Sequence, residues 1–142
     1  MVRFFSTTVL IIIFGVTAFT CKESQEIDPR DQMVGNYAMA QICADQFGDS
    51  LRYEVTLSKS ADSAAQMRVN NFGSYGQDNF LYIDVASDQT ISIPSQEIPV
   101  GLAGNATIDG TGQWNDNVLF FDFRVFISGI VDTQCQSQGN KQ

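Results

Sequence analysis

A two-residue rhythm restricts the fold of this chain more than any other feature. Between recurring turn residues, apolar side chains alternate with polar ones, which is the period of a half-buried β-strand and not of a helix. The stretch LRYEVTLS (51–58) shows it most clearly. Leu51, Tyr53, Val55 and Leu57 fall on one face, with Arg52, Glu54, Thr56 and Ser58 on the other. Such a strand has an inside and an outside. The same pattern places strands at 34–43, 65–72, 79–86, 89–94, 105–114, 117–127 and 130–136. Connections as short as Ser87-Asp88, Asn115-Asp116 and Ser128-Gly129 impose antiparallel hairpins. No window carries a helical stripe longer than two turns, although 61–66 has room for a single turn.

The expected fold is therefore all-β: a small antiparallel up-and-down β-barrel of about eight strands or, on nearly the same pattern, a β-sandwich. Only pairing of the first strand with the last separates the two. Two strands indicate how an interior would be filled. In 105–114, Ala106, Ile108, Gly110, Gly112 and Trp114 share a face, and its glycines let a strand bend or a ring lie across it. In 117–127, Leu119, Phe121, Phe123, Val125 and Ile127 form an unbroken apolar face, the expected core.

Ahead of these strands the chain opens Met-Val-Arg and then runs apolar to Phe19, followed by AFTCKESQE at 18–26. The apolar run is shorter than the roughly 20 residues of a membrane-spanning helix and has no basic stop-transfer cluster after it. Residues 1–20 read as a signal peptide. Cys21 then reads as the acylated first residue of a lipoprotein, the alternative being that it is removed with the leader. Residues 21–32 read as a flexible polar tether, leaving 33–142 as a single domain. In an oxidising compartment an odd cysteine is reactive or pairs between chains. If Cys21 carries lipid, Cys43 and Cys135 remain as a pair on the first and last strands, and a bond between them would favour the barrel. The expected location is the outer membrane, lipid-anchored, on its periplasmic or cell-surface side.

Composition excludes whole classes of chemistry. After residue 20 the chain has seven basic and sixteen acidic residues, a net charge of −9, which repels phosphate backbones and points away from nucleic acid. There is no histidine. The usual general base, the commonest zinc ligand and every Ser-His or Cys-His arrangement are thereby missing. The expectation is a non-catalytic protein with no cofactor and no metal.

Several short motifs occur in a characteristic order: DPRDQMVGNY, a cysteine late in the first strand, ISIPSQ, IDGTGQW before an NDN turn, and DTQC near the end. Together, over roughly 28–136, they resemble the small lipocalin-like (calycin-like) lipoproteins of Bacteroidetes. Gly35-Asn36-Tyr37 is similar to the first-strand G-x-W signature of lipocalins, with tyrosine replacing tryptophan. The resemblance implies a barrel and a membrane address more than a function.

Candidate contact residues follow from loop chemistry. Phe72 and Tyr75 lie between glycines and amides in NNFGSYGQDN (70–79). Such a loop suits carbohydrate or peptide contact, or else caps a barrel end. Tyr53 and Trp114 are further ligand-facing candidates, and 93–104, including Val100 to Leu102, is a second rim element. Asp122 and Arg124 share a strand face and read as an exterior ion pair. Asp109 and Asp122, if cross-strand neighbours, would have the makings of a two-carboxylate glycosidase. The function expected is a lipid-anchored envelope module that binds a small apolar or glycan ligand without catalysis. The alternative is a structural or inhibitory subunit of a larger outer-membrane complex.

Overall fold

The computed structural model describes residues 27–44 and 50–142. The expected signal peptide, Cys21 and most of the expected tether lie outside the described residues. Eight antiparallel strands, β1 (Gly35–Cys43), β2 (Leu51–Lys59), β3 (Gln66–Asn70), β4 (Phe80–Val85), β5 (Thr90–Pro99), β6 (Asn105–Asn115), β7 (Val118–Ile127) and β8 (Val131–Lys141), each pair with their sequence neighbours. β1 also pairs with β8, from Tyr37↔Lys141 to Cys43↔Cys135, and closes the barrel. That ladder decides against the sandwich.

Alternation does the sorting. In β2, Tyr53, Val55 and Leu57 are buried while Arg52, Glu54 and Thr56 face solvent. In β7, Leu119, Phe121 and Phe123 are completely buried. Their rings need room, and β6 supplies it. Gly110 and Gly112 stand opposite Phe123 and Phe121, and a Cβ on Gly112 would lie 2.8 Å from the Phe121 ring. Gly139 does the same beneath Met39.

Two strands run further than the alternation indicates. β8 continues past 136 to Lys141 because its inward residues there, Ser137 and Gly139, are small and give no apolar signal. β5 continues past 94 to Pro99 through a bulge between Ile93 and Gln96. Pro94 suits the bulge, where a missing N–H breaks no ladder bond. Beyond it β5 parts from β4, whose paired residues are only Asp84↔Ser92 and Val85↔Ile91. The Gln96 side chain bridges the gap. Its Oε1 accepts from the Tyr82 N–H at 2.8 Å, and its Nε2 donates to the Tyr82 and Pro94 carbonyls at 2.8 and 3.0 Å. A side-chain amide thus stands in for a strand.

The end of the expected tether is instead a short helix, α1 (Pro29–Met33). Asp28 caps it, accepting the Arg30 N–H at 3.0 Å, and Pro29 occupies the first position, where its missing N–H costs nothing. Arg30 at 2.6 Å and Lys59 at 3.1 Å hold the same carboxylate, and Lys59 also pairs with Asp31. These charges depress the Asp28 pKa far below the usual carboxylate range, the Arg30 hydrogen bond most of all. Met33 is driven into the barrel end and fully buried. The barrel therefore has an α1 end, with the turns at 60–65, 86–89 and 116–117, and a far rim, with the end of β1, the start of β2 and the connections at 71–79, 100–104 and 128–130. The turn expected near residue 61 is a bend without helix.

Candidate functional site

The 71–79 connection folds into the barrel mouth. Asn71 takes a left-handed backbone, φ 58°, and Gly73 and Ser74 follow with φ 62° and 64°. Asn71 tolerates this because its side chain is fully used: Nδ2 donates to the Glu54 carbonyl at 2.8 Å, and Oδ1 accepts from the Gly76 N–H at 3.1 Å. The reversal drives Phe72 inward, edge-on to Phe121 and Phe123 at centroid distances of 5.4 and 4.7 Å. Phe72, read in the sequence as a loop aromatic for ligand contact or as a barrel cap, is 1% exposed and stoppers the far rim. Tyr75 is half-buried beside it, against the core.

Beneath Phe72 lies a small polar cluster. The Tyr53 hydroxyl donates to Gln41 Oε1 at 3.0 Å and shares a hydrogen bond of 3.0 Å with Ser137. Gln41 Nε2 reaches the Cys43 sulfur at 3.3 Å. Cys43 and Cys135 form a disulfide across the β1–β8 seam. Burial pushes the Tyr53 pKa up to about 12, only partly offset by the Ser137 hydrogen bond. Gln41 and Ser137 escaped the sequence reading, although both occupy inward positions, where a polar residue is a signal in itself.

Trp114 lies at the opposite end of the interior. Its indole N–H donates to the Tyr37 hydroxyl at 3.0 Å, which in turn donates to the Met33 carbonyl at 2.9 Å. Desolvation raises the Tyr37 pKa. The four aromatic candidates therefore do not form one site: Phe72, Tyr75 and Tyr53 gather at the far rim, and Trp114 braces α1. The space between them is taken by the chain's own side chains.

On the outer wall Arg124 pairs with Asp132 and not with Asp122, through two bonds of 2.7 Å. Asp122 instead accepts from the amides of Gln134 and Gln136. Asp109 stands opposite Arg124, while Asp122 stands opposite Thr111. The two carboxylates are thus diagonal, not directly opposed, neighbours on the outer face. Among the described residues no group of three or more His, Cys, Asp or Glu is placed to hold a metal ion.

Exposed apolar side chains are unevenly distributed. Ile42, Leu51, Leu102, Phe126 and Ile130 belong to the far rim or the wall just below it, and only Ile27 and Val34 to the α1 end. A shallow groove of about 530 Å³ leads down from this rim along the β1–β8 seam, between Ile42, Ala44, Phe120 and the amides of Gln134, Gln136 and Gln138. No protein-family model matches the chain, and no curated protein matches it.

Proposed function

We propose that the chain is a lipocalin-like lipoprotein of the bacterial envelope, anchored through Cys21, that works as a non-catalytic accessory module and meets its partner with the outside of the barrel. One observation carries the reading: the interior is occupied. Phe72, Phe121, Phe123, Tyr37 and Trp114 fill it, and a small apolar ligand would have to displace the Phe72 stopper before entering. Contacts then fall to the surface, and the polarity of the barrel says where. The chain enters at the α1 end, held there by Asp28, Arg30 and Lys59. Six residues lie between Cys21 and Asp28, a Cα-to-Cα span of at most ~25 Å. An acylated Cys21 would keep the α1 end toward the membrane and offer the far rim, with Ile42, Leu102 and Ile130, to another envelope component. This favours the subunit reading over a carrier of small molecules.

The test uses the mature protein from its native membrane. Intact mass should show a thioether-linked diacylglycerol on Cys21. Immobilised protein should retain a stoichiometric envelope component, and an Ile42→Asp, Leu102→Asp, Ile130→Asp variant should release it. Saturable quenching of Trp114 by fatty acids, together with retention indifferent to the rim substitutions, would make the protein a carrier instead.

A further inference from the structure

On the outer wall, below the rim, β3 and β4 carry a surface of another kind. Arg68 stands opposite Tyr82 in register, Asn70 opposite Phe80 and Gln66 opposite Asp84. These residues project outward, since Met67, Val69, Leu81 and Ile83 between them are fully buried. All are nevertheless half-buried, because they cover one another. The Arg68 guanidinium carbon lies 3.8 Å from the centre of the Phe80 ring, and Phe80 meets Tyr82 edge-on at 5.4 Å. Gln96 clamps the Tyr82 backbone from the neighbouring strand.

Arg68 is anomalous in this acidic chain. Arg30, Lys59 and Arg124 each have a carboxylate partner. Arg68, like Arg52 and Lys141, has none among the described residues, but its Nε is their only buried side-chain nitrogen or oxygen without a hydrogen-bond partner. Asp84 is on the same face, yet the guanidinium leans away from it, onto Phe80. An enclosed donor without an acceptor is destabilising. Stacking on a ring also fixes the plane in which the guanidinium presents its donors. The result is a cation held in a fixed plane over the Phe80 ring, with its Nε–H covered.

We propose that Arg68, Phe80 and Tyr82 form a binding site for a carboxylate-bearing sugar, of which a uronic acid is the type. The guanidinium fork matches a planar carboxylate. Beside it the rings of Phe80 and Tyr82 offer apolar surface to the carbon face of a pyranose, and the Tyr82 hydroxyl and the Asn70 and Gln66 amides offer polar contacts to its hydroxyls. A ligand with a single charge meets this local cation without the repulsion that the net charge imposes on a polyanion. The proposal rests on the accessory-module reading above and gives that module a ligand, on a wall separate from the rim.

The enclosed Arg68 Nε–H is shielded from exchange with water and serves as a probe in ¹H–¹⁵N spectra of the mature protein. Sodium glucuronate should move it, and the amides of Phe80 and Tyr82, along a saturable curve. Glucose should leave them still, acetate should bind at least fivefold more weakly, and Arg68→Gln should weaken glucuronate binding at least tenfold while the barrel stays folded. A response to glucose or acetate equal to that to glucuronate, or one that survives Arg68→Gln, overturns the proposal. So does an absent response, in which case Arg68→Gln lowering only the melting temperature would assign the stack to shielding the wall. Partner capture by the far rim should be indifferent to Arg68→Gln, so the two readings fail separately.

Discussion

The indole of Trp114 and the hydroxyl of Tyr37 are joined by a hydrogen bond of 3.0 Å inside the barrel, and the hydroxyl in turn donates a hydrogen bond to the Met33 carbonyl at 2.9 Å. One phenol thereby ties β6, β1 and α1 together. Tyr37→Phe keeps the ring and removes the tie, leaving a buried donor and a buried acceptor unpaired. A loss of about 1–3 kcal/mol is expected, with a shift in Trp114 emission as its environment changes. Unchanged emission and an unchanged urea midpoint would show that α1 is held by Met33 burial alone.

The disulfide should dominate the stability of the denatured-state comparison. Cys43 and Cys135 are 92 residues apart in sequence, and their Cα atoms face each other at 4.0 Å. The Ala44 N–H to Gln134 carbonyl bond beside them, 2.9 Å, marks theirs as a non-hydrogen-bonded pair, the kind that brings side chains closest. Closing so long a loop restricts the unfolded chain by about 4–5 kcal/mol in the chain-entropy model. Urea unfolding with and without reductant measures this, and coincident midpoints would contradict it.

Gln96 should be worth more than its half-exposed place suggests. Gln96→Leu preserves bulk and deprives Tyr82 of both backbone partners across the β4–β5 gap. The expected cost is about 1–3 kcal/mol. Amide exchange should accelerate at Tyr82 first, ahead of residues in the continuous β6–β7 ladder. Uniform acceleration across the barrel would mean that the gap is not a local weak point.

Alkali should loosen the far rim. The folded-state pKa of Tyr53 is raised to about 12, against an unfolded value near 10. Its contribution is therefore fully present below pH ~10 and lost as pH climbs through about 12, a fall of about 2–3 kcal/mol. Tyr53→Phe should flatten that decline while lowering stability at neutral pH, since Gln41 and Ser137 lose their shared partner. Chemical denaturation at pH 7, 10 and 11.5 gives the comparison.

Much of this architecture is written in the alternation, because strands whose two faces meet different solvents must alternate. β2, β6 and β7 are legible for that reason, and the glycines of β6 announce the rings of β7. The pattern fades where volume is supplied from elsewhere. β8 has no apolar run after Cys135 because Phe121, Phe123 and Met39 already fill the space above Ser137 and Gly139. Phe72 read as a loop residue because the left-handed backbone angles on either side of it, at Asn71, Gly73 and Ser74, leave no periodic trace. Partner choice is likewise invisible along one strand: Arg124 and Asp122 share a face, but the register of β7 against β8 gives Arg124 to Asp132. Arg68 reads as an ordinary outward cation, and its lack of an acceptor appears only once its neighbours are in place.

The joining of the first strand to the last has a further result if Cys21 anchors the protein, as proposed, and crowds it onto a bilayer. β8 points Gln134, Gln136 and Gln138 outward, and on an open sheet such a glutamine-bearing margin would be a template for copying itself onto the next molecule. Here that margin is already paired with β1 from Cys135 to Lys141, and the Gln134 carbonyl accepts from Ala44. Dense two-dimensional packing of these molecules can therefore proceed without seeding fibres.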